Sequence, residues 1–261
     1  MVWQSTLNGV VRTMSDTESR RIDPVYAILG DGCMARHMRR YFELLGIEYR
    51  VWARSAAPEG AAPSMDEVVG TCDVVLLLLS DGAIVPFVET HAALRGKTLV
   101  HFSGSLTTEL AHGMHPLCVF GADMWGLEAY QKVPFVCEPG PPTFRDVFPS
   151  LSNPSYVLQP ESKPLYHALC VLAGNGSAIL WRKLFAEFEA LGLPWDISLP
   201  YLRQTLRDLE RNPRAEGSGP IARGDIATIQ TDLDGLEGDP FEAVLRALVD
   251  ASTQKPSGEA S

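Results

Sequence analysis

The sequence has few of the features that mark membrane, secreted, metal-binding or nucleic-acid-binding proteins. Its longest apolar run, residues 74–79, is too short to span a bilayer, and residues 1–22 lack the apolar centre of a signal peptide. No long run of Lys or Arg offsets the net charge of -10, so neither nucleic acid nor an anionic membrane is expected as a partner. The 5 cysteines are scattered and odd in number, which fits neither a disulfide framework nor a zinc site. We therefore expect reduced thiols, no metal and a cytoplasmic location.

The length and composition allow an ordinary globular protein. With 261 residues, of which 46% are hydrophobic, the chain can form one large domain or two modest ones with sizeable cores. Residues 1–22 are interpreted as an N-terminal extension, and Met14 resembles a natural start. Residues 252–261 are interpreted as a disordered tail, because they are polar and rich in small residues.

The most informative pattern is a glycine fingerprint between a predicted strand and a predicted helix. Residues 25–29 are an apolar run of strand length, and Gly-x-Gly-x-x-Ala follows at once, with helical spacing over residues 33–45. In this context the first glycine permits a tight turn and the second leaves room for a pyrophosphate, which would bind the free N–H groups at the helix start. The predicted cofactor-binding residues of this turn are Gly30, Asp31, Gly32, Cys33, Met34 and Ala35.

The end of the second predicted strand, residues 49–52, indicates which dinucleotide is bound. An Asp or Glu there would bind the ribose 2′-hydroxyl of NAD, but residues 53–55 read Ala-Arg-Ser. Arg54 and Ser55 offer a guanidinium and a hydroxyl to a 2′-phosphate, so the sequence favours NADP over NAD. The alternative is a Rossmann-like domain that binds no nucleotide, in which Arg54 is an ordinary surface residue.

Two further predicted strands end in polar side chains. Residues 72–79 are apolar except for Asp73, which is typical of a buried parallel strand, and Ser80 and Asp81 follow them. Because the carboxyl ends of parallel strands face the ligand crevice, these residues are candidates for cofactor contacts, although either could instead cap the next helix. The strand predicted over residues 98–102 ends at the same edge, which makes Ser103 a candidate catalytic residue.

One histidine stands out in the remainder of this domain. His115 precedes a proline in a segment interpreted as a turn, where a fixed imidazole could donate a proton or contact substrate. The alternative is a structural or solvated histidine. Residues 133–137 and 155–158 are interpreted as further strands, which places the nucleotide-binding domain at residues 23–160.

The remainder of the chain has helical spacing. One long helix is predicted from Ser162 to Leu191, and three shorter helices are predicted at residues 199–210, 226–236 and 240–251. The predicted fold class is therefore α/β, with a Rossmann-like, mostly parallel sheet domain followed by an all-helical C-terminal domain over residues 161–251.

Together these motifs resemble the 6-phosphogluconate dehydrogenase-like superfamily. More closely, the chain resembles bacterial Rossmann-like proteins with a C-terminal domain of unknown function, often labelled NADP-dependent oxidoreductases. The resemblance implies hydride transfer between NADP(H) and a small carbonyl or imine substrate in a cleft between the domains, and it implies a homodimer. The segments that carry it are residues 30–35, 101–105, 114–117, 165–168 with Asn175, and 219–225.

The long helix departs from one branch of that superfamily. β-Hydroxyacid dehydrogenases carry a catalytic Lys four residues before an Asn, but Val171 stands four before Asn175. In place of that lysine the helix offers His167, with Asn175 on a neighbouring face, as a proton donor and a partner for the reacting group. Tyr166 is a second possible donor. Alternatively, His167 and Asn175 only fix the two domains together.

A last candidate lies in the Gly- and Pro-rich loop at residues 216–228. Arg223 could bind a substrate carboxylate, or it could be a surface charge beside Asp225, which reads as the N-cap of the next helix. The sequence thus predicts an NADP-dependent reductase or dehydrogenase. The alternative from another class is a non-catalytic NADP-binding sensor or regulatory protein.

Overall fold

A computed structural model describes residues 23–54, 63–214 and 217–253. The predicted extension over residues 1–22, Ser55 of the predicted cofactor site and the tail from residue 254 lie outside the described residues. The chain divides into two compact units, Met1–Ile179 and Leu180–Ser261, so the first unit extends beyond residue 160. None of the helices in the described ranges is long and apolar enough to cross a membrane.

The first unit is built on a seven-stranded sheet with the order β2-β1-β3-β4-β5-β6-β7. The first five strands pair in parallel, β6 runs antiparallel to β5, and β7 is parallel to β6. This arrangement confirms the predicted Rossmann-like, mostly parallel sheet. The strands are β1 (Tyr26–Leu29), β2 (Tyr49–Trp52), β3 (Val74–Leu77), β4 (Thr98–His101), β5 (His112–Pro116), β6 (Phe135–Cys137) and β7 (Ser155–Val157).

Helices cover both faces of the sheet because its central strands are apolar on both sides. Tyr26 and Ile28 of β1 pack into one core cluster, while Ala27 and Leu29 pack into the other, and all four are fully buried. The helices that follow the strands are α1 (Cys33–Leu45), α2 (Met65–Gly70), α3 (Asp81–Thr90), α4 (Leu127–Gln131) and α5 (Phe144–Val147).

The segment around His115 differs from its prediction. His112–Pro116 includes the segment around His115 that is interpreted from sequence as a turn, and it is strand β5. The strand forms because β4 and β6 flank it, and Pro116 ends it opposite Phe135 of β6. A proline is tolerated at such a position, but the pairing that recruits it comes from a distant segment and leaves no local signal.

The long helical stretch predicted from Ser162 runs without a break from Lys163 to Ala190. It comprises α6 (Lys163–Cys170), a π-helical segment (Val171–Gly176) and α7 (Ser177–Ala190), with the division between units near the start of α7. The π segment was not predicted, and such segments are frequent at functional sites. The second unit continues with α8 (Leu199–Arg211), α9 (Pro220–Arg223), α10 (Ile226–Asp234) and α11 (Pro240–Thr253), which confirms the three shorter helices.

Replacing Gly30 with Ala should destabilise the first unit. Gly30 has φ 128°, and a Cβ there would overlap the Leu78 carbonyl group, whose carbon would be only 2.9 Å away. We expect the free energy of unfolding to fall by at least about 2 kcal/mol, measured by denaturant titration. Gly82→Ala in α3 is the control, because a Cβ there meets nothing within 4 Å; its stability should stay the same or rise by up to about 1 kcal/mol. Equal stability of the two variants would contradict this account.

Candidate functional site

An open crevice lies at the carboxyl ends of β1 and β3, where the strand order reverses. Gly30 is in close contact with the Leu78 backbone there, whereas a Cβ at Gly32 would meet no atom of the described residues within 4 Å. Gly32 is the N-cap of α1 and no described side chain caps that helix, so its first N–H groups face the crevice without a side-chain partner. The crevice has a volume of about 290 Å³, and the predicted residues lining it are Gly32, Cys33, Met34, Ala35, Ser80, Asp81 and Ser103.

Asp81 binds the segment after β4 rather than capping a helix. Neither Ser80 nor Asp81 makes a side-chain cap of α3. Instead the Asp81 carboxylate accepts hydrogen bonds from the hydroxyls of Ser103 at 2.6 Å and Ser105 at 3.2 Å. The Ser103 hydroxyl also accepts the N–H groups of Ser105 and Leu106, at 3.2 and 2.9 Å. Because the hydroxyl hydrogen of Ser103 is engaged, the geometry favours a positioning role, and its catalytic role stays a prediction.

The other predicted cofactor residues have different surroundings. Arg54 is exposed two residues after the end of β2. The Asp31 carboxylate lies 3.5 Å from the guanidinium of Arg39, which offsets its negative charge beside the helix start. The thiol of Cys33 donates to the carbonyl oxygen of Gly121 at 2.6 Å, so this contact joins the start of α1 to the loop after β5.

A second cavity brings together the polar side chains of β5 and the α6 stretch. It has a volume of about 580 Å³, and its lining includes His115, Tyr166, His167 and Asn175. His167 lies in α6 and Asn175 lies within the π segment, so two residues eight positions apart line one cavity. A Cβ on Gly104 would lie 2.7 Å from His167 Cδ2 and 3.1 Å from His115 Nε2. Gly104 follows Ser103 of the crevice directly, so one short segment adjoins both cavities.

His115 and Tyr166 form the central hydrogen bond of this cavity. His115 Nδ1 and the Tyr166 hydroxyl are 2.7 Å apart. Burial, followed by the nearby His167 and Lys163, lowers the pKa of His115 to about 4, so its imidazole is neutral at neutral pH. Burial, with a contribution from Cys170, raises the pKa of Tyr166, so its hydroxyl remains protonated. The neutral imidazole is a poor acid, and the phenol is the better placed proton donor of the pair.

The structure reveals a buried ion pair that the sequence did not predict. Lys163 Nζ lies 2.6 Å from Glu138 Oε1, with side chains only 6% and 15% exposed, and it also donates to the Leu106 carbonyl. The other Glu138 oxygen accepts the N–H of Gly113 at 3.1 Å. A Cβ on Gly113 would lie within 2.9 Å of the Glu138 carboxylate and the Lys163 ammonium, so the absence of a side chain at Gly113 leaves room for the ion pair. A lysine in the first turn of a helix would be expected in solvent, which is why its burial has no sequence signal.

His101 lies beside this ion pair. It is opposite Gly113 in the register of β4 and β5, it is 0% exposed, and neither ring nitrogen has a hydrogen-bond partner among the described residues. Burial, followed by the positive charge of Lys163, lowers its pKa to about 4. His101 is therefore a neutral, unsatisfied imidazole in the core.

Arg223 lies in the second unit at the end of α9. Its guanidinium donates to the Ser218 carbonyl and lies 3.9 Å from the Asp225 carboxylate. Asp225 accepts the N–H of Thr228 at 3.2 Å, which confirms the predicted N-cap of α10. Binding of a substrate carboxylate by Arg223 stays a prediction.

Comparisons with known proteins agree with this architecture. A domain of unknown function, DUF2520, matches residues 137–252. None of the curated proteins matches the chain in sequence. Among solved structures, a protein described as an NADP oxidoreductase from Bacteroides fragilis is similar over 89% of this chain and 99% of its own, with 18% identity and a TM-score of 0.70.

Two further solved structures share the fold at similar distance. An imine reductase from Streptomyces aurantiacus has 17% identity and a TM-score of 0.61 over 87% of this chain and 93% of its own. A reductive aminase from Aspergillus terreus, in complex with NADPH and ethyl levulinate, has 16% identity and a TM-score of 0.63 over 88% and 93%. At these identities the likeness shows the fold: a Rossmann-like domain followed by helices.

Replacing His101 with Leu should make the protein less sensitive to acid. The pKa of His101 in the folded state lies below its value of about 6.5 in the unfolded chain, so stability is lost as pH falls from about 6.5 to about 4. His101→Leu removes this proton uptake and an unsatisfied polar group. Between pH 7 and pH 5 the variant should lose about 1–2 kcal/mol less unfolding free energy than the parent, measured by urea titration. Parallel pH dependences would contradict the assignment.

Proposed function

We propose that this chain is an NADP(H)-dependent oxidoreductase that transfers hydride to or from a small, uncharged carbonyl or imine substrate. One observation carries the proposal: a single segment joins the two cavities of the first unit. Ser103 lines the glycine-turn crevice, and Gly104 packs against His115 and His167 in the second cavity. A dinucleotide in the crevice and a substrate in the second cavity would therefore both adjoin this segment.

The crevice fits the pyrophosphate of a dinucleotide. Open space at Gly32 and the uncapped start of α1 provide room and N–H donors for phosphate, and Arg54 follows β2 where a 2′-phosphate is expected. Bound NADPH would supply the hydride. The names of similar structures, which include an NADP oxidoreductase and NADPH complexes, support this choice of cofactor.

Tyr166 is the proposed proton donor. A carbonyl oxygen becomes negative as hydride reaches its carbon, and the protonated Tyr166 hydroxyl can neutralise it. In the tautomer with hydrogen on Nδ1, His115 donates to the Tyr166 oxygen and stabilises the phenolate that forms. His167 and Asn175 line the same cavity and are proposed to hold the reacting oxygen or nitrogen.

The cavity lining indicates an uncharged substrate. It combines neutral polar groups with apolar side chains such as Leu117, Val119 and Leu169, and among the described residues that line it none is Asp, Glu, Lys or Arg. Transfer of a carboxylate into such surroundings is costly without a cationic partner. A neutral ketone, aldehyde or imine is the substrate class that fits.

The exposed apolar side chains of the second unit support the predicted homodimer. Among its described residues only Ser198 and Leu233 are buried, while Ile226 is 80% exposed and Leu206 is 57% exposed. Apolar side chains exposed in such number indicate a surface that another chain covers. Cytoplasmic location stays a prediction.

Calorimetry should show a preference for NADPH over NADH that depends on the glycine turn and on Arg54. Gly32→Ala should weaken NADPH binding at least tenfold without lowering stability, because the added methyl meets only the space left for phosphate. Arg54→Ala should reduce the preference for NADPH, whereas Arg50→Ala, an exposed arginine that pairs with Glu48, should not. Absence of binding to either dinucleotide would overturn the proposal. Tight binding without turnover would favour a sensor.

Tyr166→Phe should reduce kcat by about 10²–10⁴ at unchanged affinity for NADPH, because only the proton donor is removed. Tyr156→Phe on β7, where the side chain is 62% exposed, is the matched control and should keep full activity. Steady-state kinetics with carbonyls and cyclic imines provide the measurement.

The same assay tests the charge of the substrate. Uncharged imines such as 1-pyrroline should have at least tenfold higher kcat/KM than their carboxylate-bearing analogues. A preference for the carboxylate that is lost in Arg223→Ala would contradict the uncharged substrate class and support Arg223 as its ligand.

A further inference from the structure

The three segments that carry the proposed catalytic groups meet at a single buried ammonium. Lys163 begins α6, four residues before His167 and three before Tyr166. Its Nζ binds Glu138, which follows β6, and the carbonyl of Leu106, which ends the segment after β4. Each contact therefore ties α6 to a different part of the sheet.

The geometry around Lys163 leaves little freedom for these segments. Glu138 exchanges two hydrogen bonds with Gly113 of β5, one through its carboxylate at 3.1 Å and one through its own N–H at 3.0 Å. His115 lies two residues further along β5. The Leu106 N–H donates to the Ser103 hydroxyl. Residues 103–106 are therefore held at both ends, since Ser103 binds Asp81 and the Leu106 carbonyl binds Lys163. Gly104 lies between those ends, against His115 and His167.

We propose that Lys163 is a positioning residue of this site. Its ion pair with Glu138 holds α6, residues 103–106 and β5 in the arrangement that brings the Tyr166 hydroxyl to His115. A buried ion pair contributes little net stability compared with apolar residues of similar shape, so a specific arrangement of polar groups is a reason for its presence. Lys163 does not face the substrate cavity, and its role is distinct from that of a catalytic lysine.

The charge of Lys163 also affects the pKa of His115. The titratable groups around this imidazole are His167 and Tyr166 on α6, Lys163 at the start of α6 and Asp81 on α3. Burial, His167 and Lys163 lower the pKa of His115, while Asp81 raises it. Removal of the Lys163 charge should therefore raise the pKa of His115.

The test uses the double variant Lys163→Met/Glu138→Gln, in which both charges are removed and the glutamine oxygen can still accept the Gly113 N–H. Lys163→Met alone would leave a buried, unpaired carboxylate and is expected to unfold more easily. The control is Lys132→Met/Glu128→Gln at the end of α4, a lysine–glutamate pair at the same 2.6 Å distance whose side chains are 72% and 84% exposed.

Two measurements are made on the folded parent, the Lys163 double variant and the control. In NMR titrations of the His115 ring, the midpoint should move to higher pH in the Lys163 double variant and should not move in the control. In steady-state kinetics, kcat should fall at least tenfold while the Kd of NADPH is unchanged. The kinetic result rests on the proposed function, whereas the titration does not.

The results of these measurements distinguish the positioning role of Lys163 from the proposed reductase function. A parent protein without reductase activity would contradict the proposed function, and the His115 titration would still decide the role of Lys163. A double variant with the parent's His115 midpoint would overturn the positioning role, as would parental kcat in an active enzyme.

Discussion

The close contact between the end of β1 and the backbone after β3 is the constraint on which the site depends. Gly30 takes a φ of 128° and leaves no room for a Cβ beside Leu78, so only a glycine fits at this position. Gly32, two residues later, has open space where its side chain would be. Gly30 is thus needed for folding, and Gly32 is needed for the open space at the start of α1.

The segment after β4 connects this crevice to the proposed chemistry. Ser103 is bound to Asp81 at one end, and the Leu106 carbonyl is bound to Lys163 at the other. The intervening Gly104 lets two imidazoles approach the backbone. The site thus obtains its precision from partly buried polar contacts, whose groups are costly if left unpaired and therefore tolerate few alternative arrangements.

Much of the first unit could be predicted because its signals are local. The apolar run before Gly30, the helix that ends at Gly46 and the strand before Arg54 are each read within a few residues, and all occur as predicted. His115, His167 and Asn175 were singled out from sequence, and the structure brings them to one cavity. The contributions of Tyr166 and Ser103 required their hydrogen-bond partners to be known.

The remaining features depend on contacts between distant segments. Strand β5 pairs with β4 and β6, and Lys163 is buried where Glu138, 25 residues earlier, lies beside Gly113. The unsatisfied state of His101 likewise follows from packing. No periodicity or spacing encodes these contacts, so the sequence indicates a turn at β5 and gives no sign that Lys163 is buried.

The most direct test of the central claim is an amide NMR map of the protein during addition of NADPH. The account predicts that shifts concentrate at residues 30–36, at Ser80 and Asp81, and at Ser103 and Gly104, with a concurrent shift of the His115 ring. Shifts confined to the glycine turn would contradict the proposed link between the two cavities. Absence of any shift at saturating NADPH would contradict the account as a whole.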